Sequence, residues 1–165
     1  MYTDPTQANI APPEPVLDQY LQLPTAQYGL VQGTTVGGSG GGFSQDITFA
    51  DIAWGVFPFQ ISLKGGTYLD NITTDYAYQA PDHQPFTKPR GGGGGGPPMV
   101  ISLGDAGNKI TALSAMSGAY VNQLTITTTM DPAPIVCPPN PEGANRLTWN
   151  FQKNSVFLGW GGSGG

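Results

Sequence analysis

Apolar and polar residues alternate along most of the chain after Leu30, and almost nowhere do they repeat at helical spacing. Phe59, Ile61 and Leu63 form one period-2 set in a strand expected over Val56–Leu63. Ile72, Thr74 and Tyr76 form a second, over Tyr68–Tyr76, and Leu124, Ile126 and Thr128 the clearest one, over Val121–Met130. Shorter strands are expected over Phe43–Ile52, Met99–Leu103, Ile110–Ala115, Arg146–Gln152 and Ser155–Trp160. Pro81–Pro89 and Asp131–Ala144 read as proline-marked loops and Gly104–Gly107 as a turn. No long helix emerges, so the expected fold class is all-β.

Residues 1–29 differ in kind. Pro5, Pro12, Pro13, Pro15 and Pro24 break any regular helix or central strand, leaving at most a short helical turn over Val16–Leu23. This segment reads as an arm that lies over the domain or reaches a neighbour, or as a loose tail. Residues 30–165 read as one domain, long enough to bury a core.

Composition sharpens this picture through its 25 glycines, many gathered in three clusters: 37–42, 91–96 and 161–165. Their similar spacing between β-rich stretches suggests one unit repeated around an axis. Glycine serves tight corners in such a fold, and it also lets a ligand approach bare backbone N–H groups. Charge narrows the ligand. Six basic residues in a chain of net charge −5 cannot build the positive footprint that nucleic acid needs. A neutral, hydroxyl-rich molecule fits better.

Catalytic chemistry finds little footing. His83 is the single histidine, in a loop beside Asp82, and reads as solvated; the eleven carboxylates are scattered. The serines in the glycine clusters lack a nucleophile-elbow context, and the six-glycine run lacks a P-loop ending. Cys137, the single cysteine, allows no internal disulfide or Cys-based zinc site and reads as a spectator. We therefore expect no enzyme, no metal and no cofactor. No apolar run is long enough to cross a membrane, and the N-terminus lacks a secretory pattern, so the expectation is a soluble protein, cytoplasmic or non-classically secreted.

The distinctive local motif is Gly66-Thr67-Tyr68-Leu69-Asp70, of the form G-x-x-x-D, directly after a strand and followed by a strand and the Gly91–Gly96 loop. Such a loop can aim one carboxylate and its own amides at a single place, where two sugar hydroxyls can each donate to the carboxylate. Asp70 could equally be a plain turn residue, and Tyr68 and Trp160 could stack on a sugar or simply pack.

With these motifs in this order, the sequence from about Val36 onward resembles the jacalin-related lectins. Val36-Gly-Gly-Ser-Gly-Gly-Gly-Phe43, Ile61 to Ile72 with Tyr76, Gly91 to Leu103, Lys109 to Ser114, Leu124 to Thr128 and Gly159 to Gly165 are similar to successive family segments. The resemblance implies a β-prism I fold of three Greek-key-like, four-stranded sheets with pseudo-threefold symmetry. It also implies a carbohydrate-binding site in which Gly66, Thr67, Tyr68, Leu69 and Asp70 meet the loop containing Gly92, Gly93, Gly94 and Gly95. The family's primary site would pair Gly37 and Gly38 with a second G-x-x-x-D beginning at Gly165, whose aspartate and final strand the sequence does not contain. Missing residues, a partner chain, the N-terminal arm or a linker scar would each account for that.

Because Gly37 is internal rather than a freed N-terminal glycine, the implied sugar is of mannose or glucose type. The expected partners are mono- or oligosaccharides and, for avidity, further copies of the chain or a partner chain. The competing reading is a β-prism used as a structural or assembly subunit without sugar binding.

Overall fold

The computed structural model describes residues 43–104, 107–139, 145–151 and 156–163. The arm at 1–29 and the residues Gly37, Gly38 and Gly165 lie outside them.

The described chain is built from ten strands and one short helix: β1 (Phe43–Gln45), α1 (Phe49–Ala53), β2 (Val56–Gly65), β3 (Leu69–Tyr78), β4 (Phe86–Gly91), β5 (Met99–Ser102), β6 (Ile110–Ser117), β7 (Val121–Thr128), β8 (Ile135–Cys137), β9 (Asn145–Asn150) and β10 (Gly161–Ser163). Two four-stranded antiparallel sheets have the same wiring, β4-β3-β2-β5 and β8-β7-β6-β9. In each, the fourth strand returns beside the first, which is the Greek-key path. β1 and β10 make a third, two-stranded sheet in which Phe43 pairs with Ser163. The expected fold of repeated Greek-key sheets is present as two complete sheets and this strand pair. Among the described residues, no helix is long and apolar enough to cross a membrane.

The core lies between the two larger sheets. Ile61, Leu63 and Ile101 from the first meet Ile110, Leu113, Ala115, Leu124, Ile126 and Cys137 from the second. Cys137, expected in a loop, instead ends β8 and is buried; its thiol is pushed up by burial and by the charge of Asp70.

Several sequence expectations are corrected here. Phe59 does not share the buried face of Ile61 and Leu63. The register jumps between Pro58 and Gln60, and this bulge puts Val56 and Pro58 in the core before it and Ile61 and Leu63 after it. The strand expected over Phe43–Ile52 stops at Gln45, and α1 follows. Thr48 caps that helix by accepting from the Asp51 amide at 3.2 Å, while the Asp51 carboxylate accepts from the Thr48 amide at 2.7 Å. This reciprocal pair overrides the apparent alternation.

Pro81–Pro89 is not all loop, because β4 begins at Phe86. Proline is tolerated at Pro89 because β4 is an edge strand. Likewise β8 interrupts the loop expected after Asp131. Residues 156–160 form no strand; the pairing falls on β10 instead.

Arg90, in β4, ties the third sheet to the first. Its Nε donates to Asp46 Oδ1 at 2.6 Å, and its terminal nitrogens donate to the carbonyls of Ser44 and Trp160 at 3.0 and 3.2 Å. Tyr76 donates its hydroxyl to the other Asp46 oxygen at 2.7 Å. The Trp160 indole donates to buried Thr74 at 2.9 Å.

Candidate carbohydrate-binding site

The β2–β3 turn and the β4–β5 connection meet at one end of the first sheet. Strand β2 ends at Gly65, where a second register shift lets Gly65 pair with Leu69 and frees Gly66, Thr67 and Tyr68 to protrude. The Gly66 amide donates both to the Tyr68 carbonyl at 3.1 Å and to Asp70 Oδ2 at 3.0 Å. The turn thus fixes its own aspartate. Thr67 and Tyr68 are exposed, Asp70 is half-buried, and Leu69 packs against the core as the anchor of the turn.

The glycine loop folds onto this turn. The Gly92 amide donates to the Asp70 carbonyl at 2.9 Å, and the Asn71 side chain donates to the Gly92 carbonyl at 3.1 Å. Gly91 and Gly95 have φ of +97° and +93°, values that side-chain-bearing residues adopt only with strain. A Cβ on Gly91 would collide with the Asp70 carbonyl oxygen. Close approach matters further along, too. A Cβ on Gly94 would lie 3.2 Å from Asp70 Oδ1, and one on Gly95 would lie 3.2 Å from Oδ2 and 3.0 Å from the Gly65 amide nitrogen. Gly92 and Gly93, by contrast, face open space.

Of the residues named from sequence, Gly66, Thr67, Tyr68, Leu69, Asp70, Gly92, Gly93, Gly94 and Gly95 are therefore brought together. The result is a shallow corner: one carboxylate set among exposed backbone, with little side-chain bulk around it. It offers a carboxylate acceptor beside backbone amide donors, a chemistry that suits hydroxyl groups.

The structure also relates residues that sequence reading left apart. In the second sheet, Ser117 pairs with Val121 just as Gly65 pairs with Leu69, again beside a register shift. The Gly118 amide donates to the Tyr120 carbonyl at 3.0 Å, as Gly66 does to Tyr68. By this register Gly118-Ala119-Tyr120-Val121-Asn122 is a second copy of the turn, with Asn122 where Asp70 stands. Pro138, beside Gln123, then corresponds to Gly91, beside Asn71. The Gln123 amide donates to the Pro138 carbonyl at 2.8 Å, and Pro138 and Pro139 have no backbone N–H to offer a ligand. The first turn lies against the end of β8: a Cβ on Gly65 would sit 3.1 Å from both Cys137 Sγ and Pro138 Cδ. The signal in the sequence was G-x-x-x-N after an apolar strand, which acquires meaning only through the register.

His83 is not the solvated loop residue expected. Its ring packs on Trp54 and Tyr78, with centroids 4.2 and 5.2 Å away, at the other end of the first sheet.

Two Greek-key sheets of the same wiring, a third strand pair and a glycine loop folded on a G-x-x-x-D turn give the chain a fold like that of solved jacalin-related lectins. No family model and no curated protein matches the sequence. Solved structures do match. Wild-type Malaysian banana lectin aligns at 20% identity with a TM-score of 0.65, over 83% of this chain and 91% of that one. Artocarpin complexed with Me-α-mannose aligns at 17% identity and TM-score 0.62, over 81% and 88%. AcmJRL, a mannose-binding jacalin-related lectin from Ananas comosus, aligns at 20% identity and TM-score 0.57, over 79% and 85%.

Proposed function

We propose that the protein is a carbohydrate-binding lectin of mannose or glucose type, and that Gly66–Asp70 with Gly92–Gly95 forms its sugar site. The observation that carries this reading is the glycine loop folded against the Asp70 carboxylate. Two sugar hydroxyls donate to Asp70, the amides of Thr67 and Tyr68 donate to sugar oxygens, and the loop closes beside the ring. Each hydrogen bond to the carboxylate contributes about 1.5–3 kcal/mol. The mannose-bound artocarpin and the mannose-binding AcmJRL support the sugar class by analogy of fold.

A shallow site of this kind binds a monosaccharide near the mM range, about −4 kcal/mol. Useful affinity for glycans then comes from several sites brought together on assembled chains. The test is calorimetric titration with methyl α-mannoside, methyl α-glucoside and methyl α-galactoside. Binding of the first two and its loss in Asp70→Ala supports the site; equal binding by Asp70→Ala rejects it.

A further inference from the structure

We propose that the N-terminal arm of this chain docks on an apolar groove at the end of the molecule opposite Gly66–Asp70. Val16, Leu17, Tyr20 and Leu21 seat in the groove, and Asp18 pairs with Lys109.

The groove opens where the two larger sheets part. Strand β2 runs from this end to the Gly66 turn, so the two places lie a strand's length apart. Phe57 and Pro58 of β2, Leu103 after β5, Ile110 of β6, Val156 and Phe157 line a cavity of about 130 Å³. Apolar cavities of about 150 Å³ hold a benzene-sized group. This one therefore takes a tyrosine ring or a leucine side chain. Among the described residues, Lys109 is the one charged residue of the lining; it is exposed and forms no ion pair with them. The groove thus suits an apolar segment that carries a carboxylate.

The arm has that composition. Residues 1–42 hold Asp4, Glu14 and Asp18 but no Lys or Arg. At helical spacing Val16, Leu17, Tyr20 and Leu21 share one side, and Glu14 and Asp18, four positions apart, follow its edge. The exposed aromatic patch of Phe49 and Trp54 suits this segment less well. Asp51 lies in the same helix and Asp82 beside the His83 ring that packs on Trp54, so like charges oppose an acidic arm there.

The arm also reaches. Phe43 pairs with Ser163, six positions after Phe157, which puts the root of the arm within about 30 Å of the groove. Phe43 follows Leu23 by twenty positions, a stretch that spans about 70 Å when extended. Tethering gives the arm an effective concentration in the mM range. One filled cavity and one ion pair then suffice to seat it, and the chain's own arm outcompetes that of another copy.

The test uses the full chain throughout. Limited digestion with chymotrypsin reads how often Tyr20 and Leu21 are open to cleavage; Lys109→Glu is expected to speed it about fivefold. Lys109→Glu combined with Asp18→Lys is expected to restore the wild-type rate, and that rate should hold over an about hundredfold dilution because the contact lies within one chain. Amide spectra locate the contact: Tyr20→Ala with Leu21→Ala is expected to move the signals of Leu103, Asn108 and Lys109 and to leave Gly66–Asp70 in place. Groove signals that stay where they are, or a cleavage rate that Lys109→Glu leaves unchanged, overturn the proposal. Shifts confined to Phe49 and Trp54 also overturn it, placing the arm on that patch. A cleavage rate that climbs on dilution overturns it too, placing the arm on a second copy.

Discussion

Arg90 reaches Asp46 from the edge of the first sheet, with Nε 2.6 Å from the carboxylate and the aspartate side chain only 2% exposed. The guanidinium fork spreads over the Ser44 and Trp160 carbonyls as well, so one side chain fastens β4 to both sides of the third sheet. Among the described residues, removing the cation leaves the buried carboxylate with the Tyr76 hydroxyl as its side-chain partner. Breaking such a pair costs about 3–5 kcal/mol. Arg90→Ala is thus expected to lower the Tm by on the order of 10 °C. Arg90→Lys, which keeps charge but not the fork, should recover only part of the loss. Thermal unfolding followed by circular dichroism measures both; an unchanged Tm in Arg90→Ala would show that the pair is not holding the sheets together.

The glycine loop separates a stability effect from a binding effect. Gly95 has φ +93° and its added Cβ would crowd Lys64, the Gly65 amide and Asp70. Gly95→Ala is expected to cost at least about 1 kcal/mol and to weaken sugar binding. Gly93 has no atom within 4 Å of an added Cβ. Gly93→Ala should leave the Tm within about 1 °C, so any loss of sugar affinity reports a methyl group standing where the ligand goes. Paired melting and titration curves for the two variants separate these effects.

Asp70→Asn keeps the shape of the side chain and removes its charge. The amide oxygen still accepts from Gly66, but hydroxyl donors lose charge assistance. A fall in monosaccharide affinity of about tenfold or more is expected, with little change in Tm, because the Gly66–Asp70 bond is exposed. Nuclear magnetic resonance titration with methyl α-mannoside reads this even in the mM range.

The Tyr78 hydroxyl donates to Asp51 Oδ1 at 2.7 Å, and the pair gives stability a pH dependence at both ends. Burial, the bond to Asp51 and the Asp51 charge push the Tyr78 phenol above its usual range. Its contribution is complete below the ordinary tyrosine pKa of about 10 and is lost as pH rises through the folded-state value. For Asp51, burial raises the pKa, but hydrogen bonds from Tyr78 and Thr48 and the charge of Lys88 outweigh it and lower the carboxyl overall. That contribution is present above the ordinary aspartate pKa and is lost as pH falls through the lowered value. Tyr78→Phe is therefore expected to flatten the alkaline limb of Tm against pH and part of the acid limb; a profile parallel to wild type would contradict this.

How much of this was readable beforehand depended on whether a feature is local. The turn at Gly66–Asp70 was legible because five consecutive residues build it and the fold brings it the neighbouring glycine loop. The strand faces at Ile72–Tyr76 and Leu124–Thr128 were legible because no bulge interrupts them. Phe59 misled because a one-residue bulge reverses the phase without leaving a mark on composition. Strand β4 was hidden by Pro89, acceptable only at an edge that the sequence does not announce. Asn122 could not be matched to Asp70, nor Tyr120 to Tyr68, until the pairing register aligned the two sheets. Arg90 and Asp46 are joined across two sheets, a relationship with no local pattern at all.

The pairing of Phe43 with Ser163 bears on the order in which the molecule assembles. The β2–β3 and β6–β7 ladders join strands adjacent in sequence, and such hairpins close within microseconds. The β1–β10 ladder instead requires that nearly the whole described chain be gathered first, and pairings of such long range are slow. Trp160, whose indole bonds to Thr74 beside that ladder, is placed to report the step. Its fluorescence should settle after the backbone signal of the two larger sheets, and Arg90→Ala should speed unfolding more than it slows folding.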